Sequence, residues 1–267
     1  MTKRLHDLGH EVVGLVTMQT PHRPALFERL LAESPVEVHV ARDVAGVTEA
    51  LRVFDVDLCL CSGFGRKLSR AALDAPPLGI VNGHPSLLPR WRGPNPFGWT
   101  FRADDEVVGY TFHRMDEAFD TGPILAQGSV PLTDDDRADA LFERLAPLID
   151  DLLPRALARV EAGDVGDPQP DQGATHAPLF EDEYAEIEWT RSAREVHNQV
   201  RSWFLPSRGG LRGAQATIDG RRLRVGRSAL VAGDATAEPG TILAREGDTF
   251  VVQCGDAPLR VSELEPL

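Results

Sequence analysis

The sequence predicts an α/β protein: a mostly parallel sheet flanked by helices, followed by a small β domain. Three observations predict it. Across residues 1–165, short apolar runs alternate with amphipathic helical runs, the order that builds a parallel sheet. Gly, Pro, Asp and Gln then crowd residues 163–178, which marks a connector. Beyond it, six short β runs follow one another, the pattern of a small barrel. The expected domains are 1–165 and 184–267, joined by a linker at 166–183.

The elements follow in order. Residues 11–17 are an apolar run suited to a buried parallel strand. A polar segment at 19–24 leads into a helix over 25–33. Residues 36–40 are a second strand, and 45–53 carry apolar residues at helical spacing. Residues 58–61 are a third strand, followed by Gly63-Phe64-Gly65 and a helix over 69–75. A strand at 79–81 comes next, then an extended pair at 107–113 and 127–131. Thr133 can cap a helix, and 138–162 form a long amphipathic pattern that Pro147 and Pro154 are expected to interrupt or bend. In the second domain a helix at 192–204 precedes β runs at 215–218, 222–225, 229–231, 240–243, 250–253 and 259–261. Asp219-Gly220, between two of them, is a hairpin turn signal.

The run Ile80-Val81-Asn82-Gly83-His84-Pro85-Ser86-Leu87-Leu88-Pro89 is the most informative stretch. Alternation along an extended segment puts Asn82 and His84 on one side. Both then face a pocket at a strand's carboxyl end, where open α/β sheets bind ligands. Asp120 arrives from a second loop, Met115-Asp116-Glu117-Ala118-Phe119-Asp120-Thr121-Gly122. An amide can donate to a developing oxyanion. An imidazole can do the same or shuttle a proton. A carboxylate can orient the imidazole or take a proton through water. No motif supplies a Ser or Cys nucleophile, which favours direct attack by a substrate amine or by water. Taken singly, Asn82-Gly83 reads as a turn and His84 as a structural histidine. Their combination with Asp120 carries the functional reading.

N-x-H, then SLLP, then Arg92-Gly93, then D-x-x-x-D-T-G from Asp116, resembles the formyltransferases that use 10-formyltetrahydrofolate. That family includes methionyl-tRNA formyltransferase and enzymes acting on sugar amines and other small amines. The resemblance implies a Rossmann-like catalytic domain and an oligonucleotide-binding-like (OB-like) C-terminal barrel, entered at Ile187-Glu188-Trp189. It implies catalysis by Asn82, His84 and Asp120. It also implies a pterin site built largely from backbone groups of Arg66, Lys67 and Leu68, of Ser86, Leu87, Leu88 and Pro89, and of Asp116, Glu117, Ala118 and Phe119. His113 is read two ways: on the acceptor side of the pocket, or as a half-exposed strand histidine. Arg92 either meets an anionic group of a substrate or is solvated beside Trp91.

Composition narrows the field. The 267 residues are 42% hydrophobic, enough for a sizeable core. No apolar run approaches the ~20 residues of a membrane span, and the N-terminus has no signal-like apolar stretch, so a cytoplasmic protein is expected. Three cysteines make no disulfide framework. Cys59-x-Cys61 with a distant Cys254 is a poor zinc site, so no metal is expected. Net charge is −13, and all of the acidic excess lies in residues 1–183, since 184–267 hold 11 basic and 11 acidic residues. An acidic catalytic domain disfavours generic nucleic-acid binding. Arg208, Arg212, Arg221, Arg222, Arg224 and Arg227 nevertheless cluster with only Asp219 against them. That is a solvated hairpin face or a patch for a phosphate-bearing acceptor.

Two departures from the family stand out. Residues 2–8 already read as the end of the family's first helix, so the sheet is expected to lack its first, central strand and to leave its neighbours' edges exposed. The tRNA-modifying members carry a long basic loop where this chain has only Thr17 to Pro24. The reading is therefore an N-formyltransferase moving a formyl group from 10-formyltetrahydrofolate to a primary amine, with a small-molecule or carrier-bound acceptor favoured over tRNA. The rivals are methionyl-tRNA formyltransferase proper, a hydrolase releasing formate from the same donor, and a catalytically silent folate-binding module.

Overall fold

The computed structural model describes residues 2–18 and 24–267, so the polar segment at 19–23 lies outside the described residues. Helix α1 (Thr2–Asp7) precedes strand β1 (Leu15–Met18), helix α2 (Pro24–Glu33) and strand β2 (Val38–Ala41). Then come α3 (Val44–Phe54), β3 (Cys59–Ser62), α4 (Arg70–Leu73), β4 (Ile80–His84), α5 (Pro96–Arg102), β5 (Val107–Arg114), β6 (Ile124–Pro131) and α6 (Leu141–Glu161). A short turn of 3-10 helix (Asp182–Ala185) leads to α7 (Ala193–Arg201). Strands β7 (Ala214–Ile218), β8 (Arg221–Leu230), β9 (Ile242–Glu246), β10 (Thr249–Gln253) and β11 (Pro258–Pro266) follow.

The chain forms two compact units that interleave in sequence. One holds Met1–His84, Tyr110–Gly128 and Pro147–Gly173; the other holds Pro85–Gly109, Ser129–Ala146 and Ala174–Leu267. The parallel strands divide between two sheets. β1 pairs in parallel with β2, and a second sheet runs β3-β4-β5-β6 with β3 and β4 parallel and β4 and β5 antiparallel. Among the described residues, β1 and β3 each keep one edge without a ladder partner. In the first unit, Val47, Leu51, Leu68, Ala72, Leu73 and Ile80 form a buried cluster with Val16, Met18, Cys59 and Cys61 against it. Asp43 starts α3 by accepting from the Gly46 amide at 2.9 Å, a cap worth ~1 kcal/mol.

Helix α6 continues through both Pro147 and Pro154, where an interruption or a bend was expected. Both prolines lie off the buried stripe of Leu145, Ile149, Leu152, Leu153, Ala156, Leu157 and Val160. Carbonyls that lose their partner to a proline there stay within reach of water.

In the second unit, β7-β8-β11-β10-β9 form an antiparallel sheet. Two of the expected β runs are one strand, β8. In the described residues the pairing starts at β7 and ends at β9, an open sheet rather than a closed barrel. Helix α7 covers one face instead: Val196 and Val200 join Ala216, Ile218, Leu223, Val225, Val252, Leu259 and Val261 in one core. Asp219 and Gly220 both take positive φ, 52° and 70°, as a two-residue hairpin between twisted strands requires.

Candidate active site

Strand β4 is buried along its whole length. Its register sets Asn82 opposite His113 and His84 opposite Thr111 across the antiparallel ladder with β5. Directly opposed residues share a face, so a pair of β4 side chains and a pair of β5 side chains stand together. Gly83, between them, turns to the other face. A Cβ there would overlap the Tyr110 hydroxyl, so this strand position accepts only glycine while Tyr110 keeps its place.

Four polar groups converge. The Asn82 amide nitrogen lies 3.1 Å from His113 Nε2 and donates to Asp120 Oδ1 at 3.3 Å. His84 Nδ1 lies 3.5 Å from Asp120 Oδ1, and His113 Nε2 lies 3.6 Å from it. The two imidazoles meet edge to face with centroids 6.4 Å apart. The sequence reading that left His113 half-exposed is corrected: it is 1% exposed, among the most buried side chains of the chain. With Nδ1 turned to the carboxylate, His84 directs Nε2 away from it. A carboxylate-oriented imidazole beside an amide donor is equipped to stabilise negative charge on a carbonyl oxygen and to move a proton.

Asp120 is held from several sides. It takes a left-handed backbone conformation, φ 57°, uncommon for non-glycine residues though more open to Asp than to most. Asp116 accepts from the Thr121 hydroxyl at 2.7 and 2.8 Å and from the Ala118 amide at 3.0 Å. Gly122 follows because a Cβ there would run into the Arg114 carbonyl. Gln169, from the segment read as a linker, donates its amide to the carbonyls of Asp120 at 2.9 Å and Gly122 at 2.8 Å. Nothing in the sequence signals that clamp, since Gln169 sits 49 residues away in a Pro- and Gly-rich run.

A narrow cleft opens on this cluster, lined by Phe64, Arg66, Lys67, Leu68, Asn82, His113, Met115, Asp116, Ala118, Phe119 and Asp120. Thus Arg66, Lys67, Leu68, Asp116, Ala118 and Phe119 come together with two of the three expected catalytic residues. Glu117 does not line the cleft. Ser86, Leu87, Leu88 and Pro89 belong to the other compact unit, where the Ser86 hydroxyl donates to the Arg90 carbonyl at 2.7 Å and Leu88 is buried. Lys67 stands over the Phe119 ring at 5.4 Å. Cys61 pairs with Asn82 across the β3–β4 ladder. Burial pushes its thiol up to about 12 and that of Cys59 to about 11, so neither is a thiolate nucleophile near neutrality.

Three arginines of the expected cluster are charge-paired. Arg222 forks onto Glu186 at 2.6 and 2.8 Å, Arg224 pairs with Glu265, and Arg227 lies 3.7 Å from Glu263. Arg245 reaches Asp219 at 3.1 Å. Neighbouring strands and the turn before α7 supply carboxylates that the local sequence does not show.

Comparison with known proteins shows the family. The family model described as formyl transferase matches residues 5–157, and that of the formyl transferase C-terminal domain matches 180–267. The chain is 36% identical over 276 residues to a methionyl-tRNA formyltransferase of Gluconobacter oxydans, covering 98% of this chain and 86% of that one. It is 37% identical over 283 residues to the methionyl-tRNA formyltransferase of Symbiobacterium thermophilum, covering 99% and 83%. Among solved structures, HypX from Aquifex aeolicus in complex with tetrahydrofolic acid shares the fold at a TM-score of 0.70 and 18% identity; 95% of this chain is covered but only 44% of HypX, so this chain spans less than half of it. With a matched model over more than half its length and relatives this similar along nearly all of it, the chain belongs to the formyl transferase family of enzymes.

Proposed function

We propose that this chain transfers a formyl group to the amine of methionyl-tRNA. The convergence of Asn82, His84 and Asp120, the first and last of which line the cleft, carries the chemistry. The acceptor rests on relatives named for it that match along more than four-fifths of their own length. That moves the balance from the small amine expected from the sequence toward its stated alternative.

The chemistry of the cleft lining suits a folate donor. Apolar Phe64, Leu68, Met115 and Phe119 suit a flat heteroaromatic ring, and Arg66 and Lys67 suit an anionic tail. When bound, 10-formyltetrahydrofolate supplies an activated formyl carbonyl. Asn82 and His84 donate to the charge that grows on the formyl oxygen as the amine attacks. Asp120 holds the His84 ring by Nδ1 and accepts, directly or through water, the proton the amine gives up; transfer is complete when the bond from the formyl carbon to N10 breaks and tetrahydrofolate departs with a proton on N10. Positioned reactants contribute up to ~7–11 kcal/mol in favourable cases, and one oxyanion donor ~3–4 kcal/mol.

The test is an acceptor panel. The protein is incubated with 10-formyltetrahydrofolate and methionyl-tRNA, a nucleotide-linked amino sugar, free amino acids or no amine, and each mixture is read by mass for one added formyl group. Formylation of methionyl-tRNA at a rate well above the others is expected. Preference for an amino sugar would overturn the acceptor alone. Formate release without any amine would point to a hydrolase, and donor binding without transfer to a silent module.

A further inference from the structure

We propose that His113 is a positioning residue for Asn82: its imidazole fixes which end of the Asn82 amide faces Asp120. The inference rests on the formyl-transfer reading and deepens it. His113 Nδ1 lies 2.8 Å from the Arg114 carbonyl. A carbonyl only accepts, so Nδ1 carries a proton, and in the neutral ring Nε2 then presents a lone pair. The Asn82 amide nitrogen sits 3.1 Å from that lone pair and 3.3 Å from Asp120 Oδ1. Both amide N–H groups are therefore aimed at acceptors. Turned over, the amide would set its oxygen against a lone pair and a carboxylate together. Asn82 is 8% exposed and His113 1% exposed, so little water is at hand to relieve that repulsion.

The arrangement divides labour within one NH₂ group. The N–H on His113 is an anchor, and the N–H on Asp120 is the one that turns to an oxyanion beside His84. Without the anchor the amide rotates about its last torsion, and the donor is no longer preorganised, which is what gives such donors their effect. The pairing is built into the backbone, because Asn82 and His113 are direct register partners across β4 and β5. His113 acts through Asn82 and is assigned no contact with substrate.

The experiment is a double-mutant cycle on the full chain: wild type, His113→Leu, Asn82→Ala and the double variant, with kcat and donor KM measured on the best acceptor. His113→Leu is expected to lower kcat roughly ten- to a hundredfold, less than loss of the donor itself (~10²–10³-fold), and to leave KM within about threefold. In the Asn82→Ala background the same change should move kcat by about twofold at most, because its target is gone. His113→Gln, whose side-chain oxygen can reach the Nε2 position and accept, should recover most of the activity. Equal losses in both backgrounds, or wild-type kcat in His113→Leu, would overturn the assignment; His113→Met replaces the leucine variant if that one does not fold. The Asn82 side-chain amide signal in ¹⁵N–¹H spectra, identified by its loss in Asn82→Ala, gives a readout independent of turnover. It should be slow to exchange in wild type and His113→Gln and should become fast in His113→Leu. If wild type transfers no formyl group, the transfer reading fails, and an Asn82 amide signal unmoved by His113→Leu overturns the anchor separately.

Discussion

His113 and His197 are both buried, and in both the two ring nitrogens are engaged by protein groups. His197, on α7, gives its Nε2–H to the Asp134 carbonyl at 3.0 Å and takes the Ser228 hydroxyl on Nδ1 at 2.9 Å. Burial first, then the positive charge of Arg201, push His197 down to about 4. Its bonds end on a backbone carbonyl and a hydroxyl, so it ties α7 to β8 and to the Asp134 segment. His113 has one bond to a backbone carbonyl as well, but the other runs to an amide that is shared with a carboxylate at a cleft. Burial of a polar ring is thus no sign of function. What separates the two is whether the chain of bonds ends in fixed structure or in a group free to turn toward a ligand.

The largest effects should fall on the cleft side. His84→Ala and Asp120→Ala should each lower kcat by roughly 10²–10⁴-fold, the worth of a general acid–base group, with donor KM within a few-fold and melting temperature near wild type. Their action is on charge that develops in the transition state. Normal turnover in either variant would place that residue with His197 as structure. Asn82→Ala should cost ~10²–10³-fold, and a loss under about tenfold would reduce Asn82 to a strand residue.

The His197 side should respond to pH through stability. Its folded pKa is depressed, so between about 6.5 and about 4 the unfolded chain binds a proton that the folded chain refuses. The neutral ring's contribution is whole above about pH 6.5 and is lost as pH falls toward 4, by about 3 kcal/mol at full extent. Urea midpoints from pH 7 to 4.5 should show this slope in wild type, and His197→Gln should flatten it while transfer at pH 7 stays within about twofold. An unchanged slope would locate the acid sensitivity elsewhere. Last, Ser228→Ala removes one hydroxyl bond to His197 and should cost ~1 kcal/mol with no loss of turnover. A clear drop in kcat there would break the contrast between the two histidines.

Much of this was legible in the residues. Period-two alternation alone puts Asn82 and His84 on one face, and the D-x-x-x-D-T-G run marks the Asp120 loop. The helical run at 192–204 marks α7, and Asp219-Gly220 the hairpin. The partners of those residues were not legible. His113 lies 31 residues from Asn82, and a strand register is fixed by the neighbouring strand, not by local pattern. The arginines after Leu211 read as a bare basic cluster because Glu186, Glu263 and Glu265 come from other elements.

The resemblance carried by its motifs implied the reaction class, and the sequence by itself determined the alternation of strands and helices and which side chains stand at the end of β4, because those depend on spacing of a few residues along one segment. The tertiary structure decided the rest. It set β1–β2 apart from β3–β6 and opened the expected barrel into a sheet covered by α7. It carried α6 through two prolines, clamped Asp120 with Gln169, and set His113 behind Asn82. Each of these depends on which distant surfaces bury one another and which buried polar groups must then find partners. No local pattern encodes those choices, because apolar burial is non-directional and a hydrogen bond needs only geometry, not nearness in sequence.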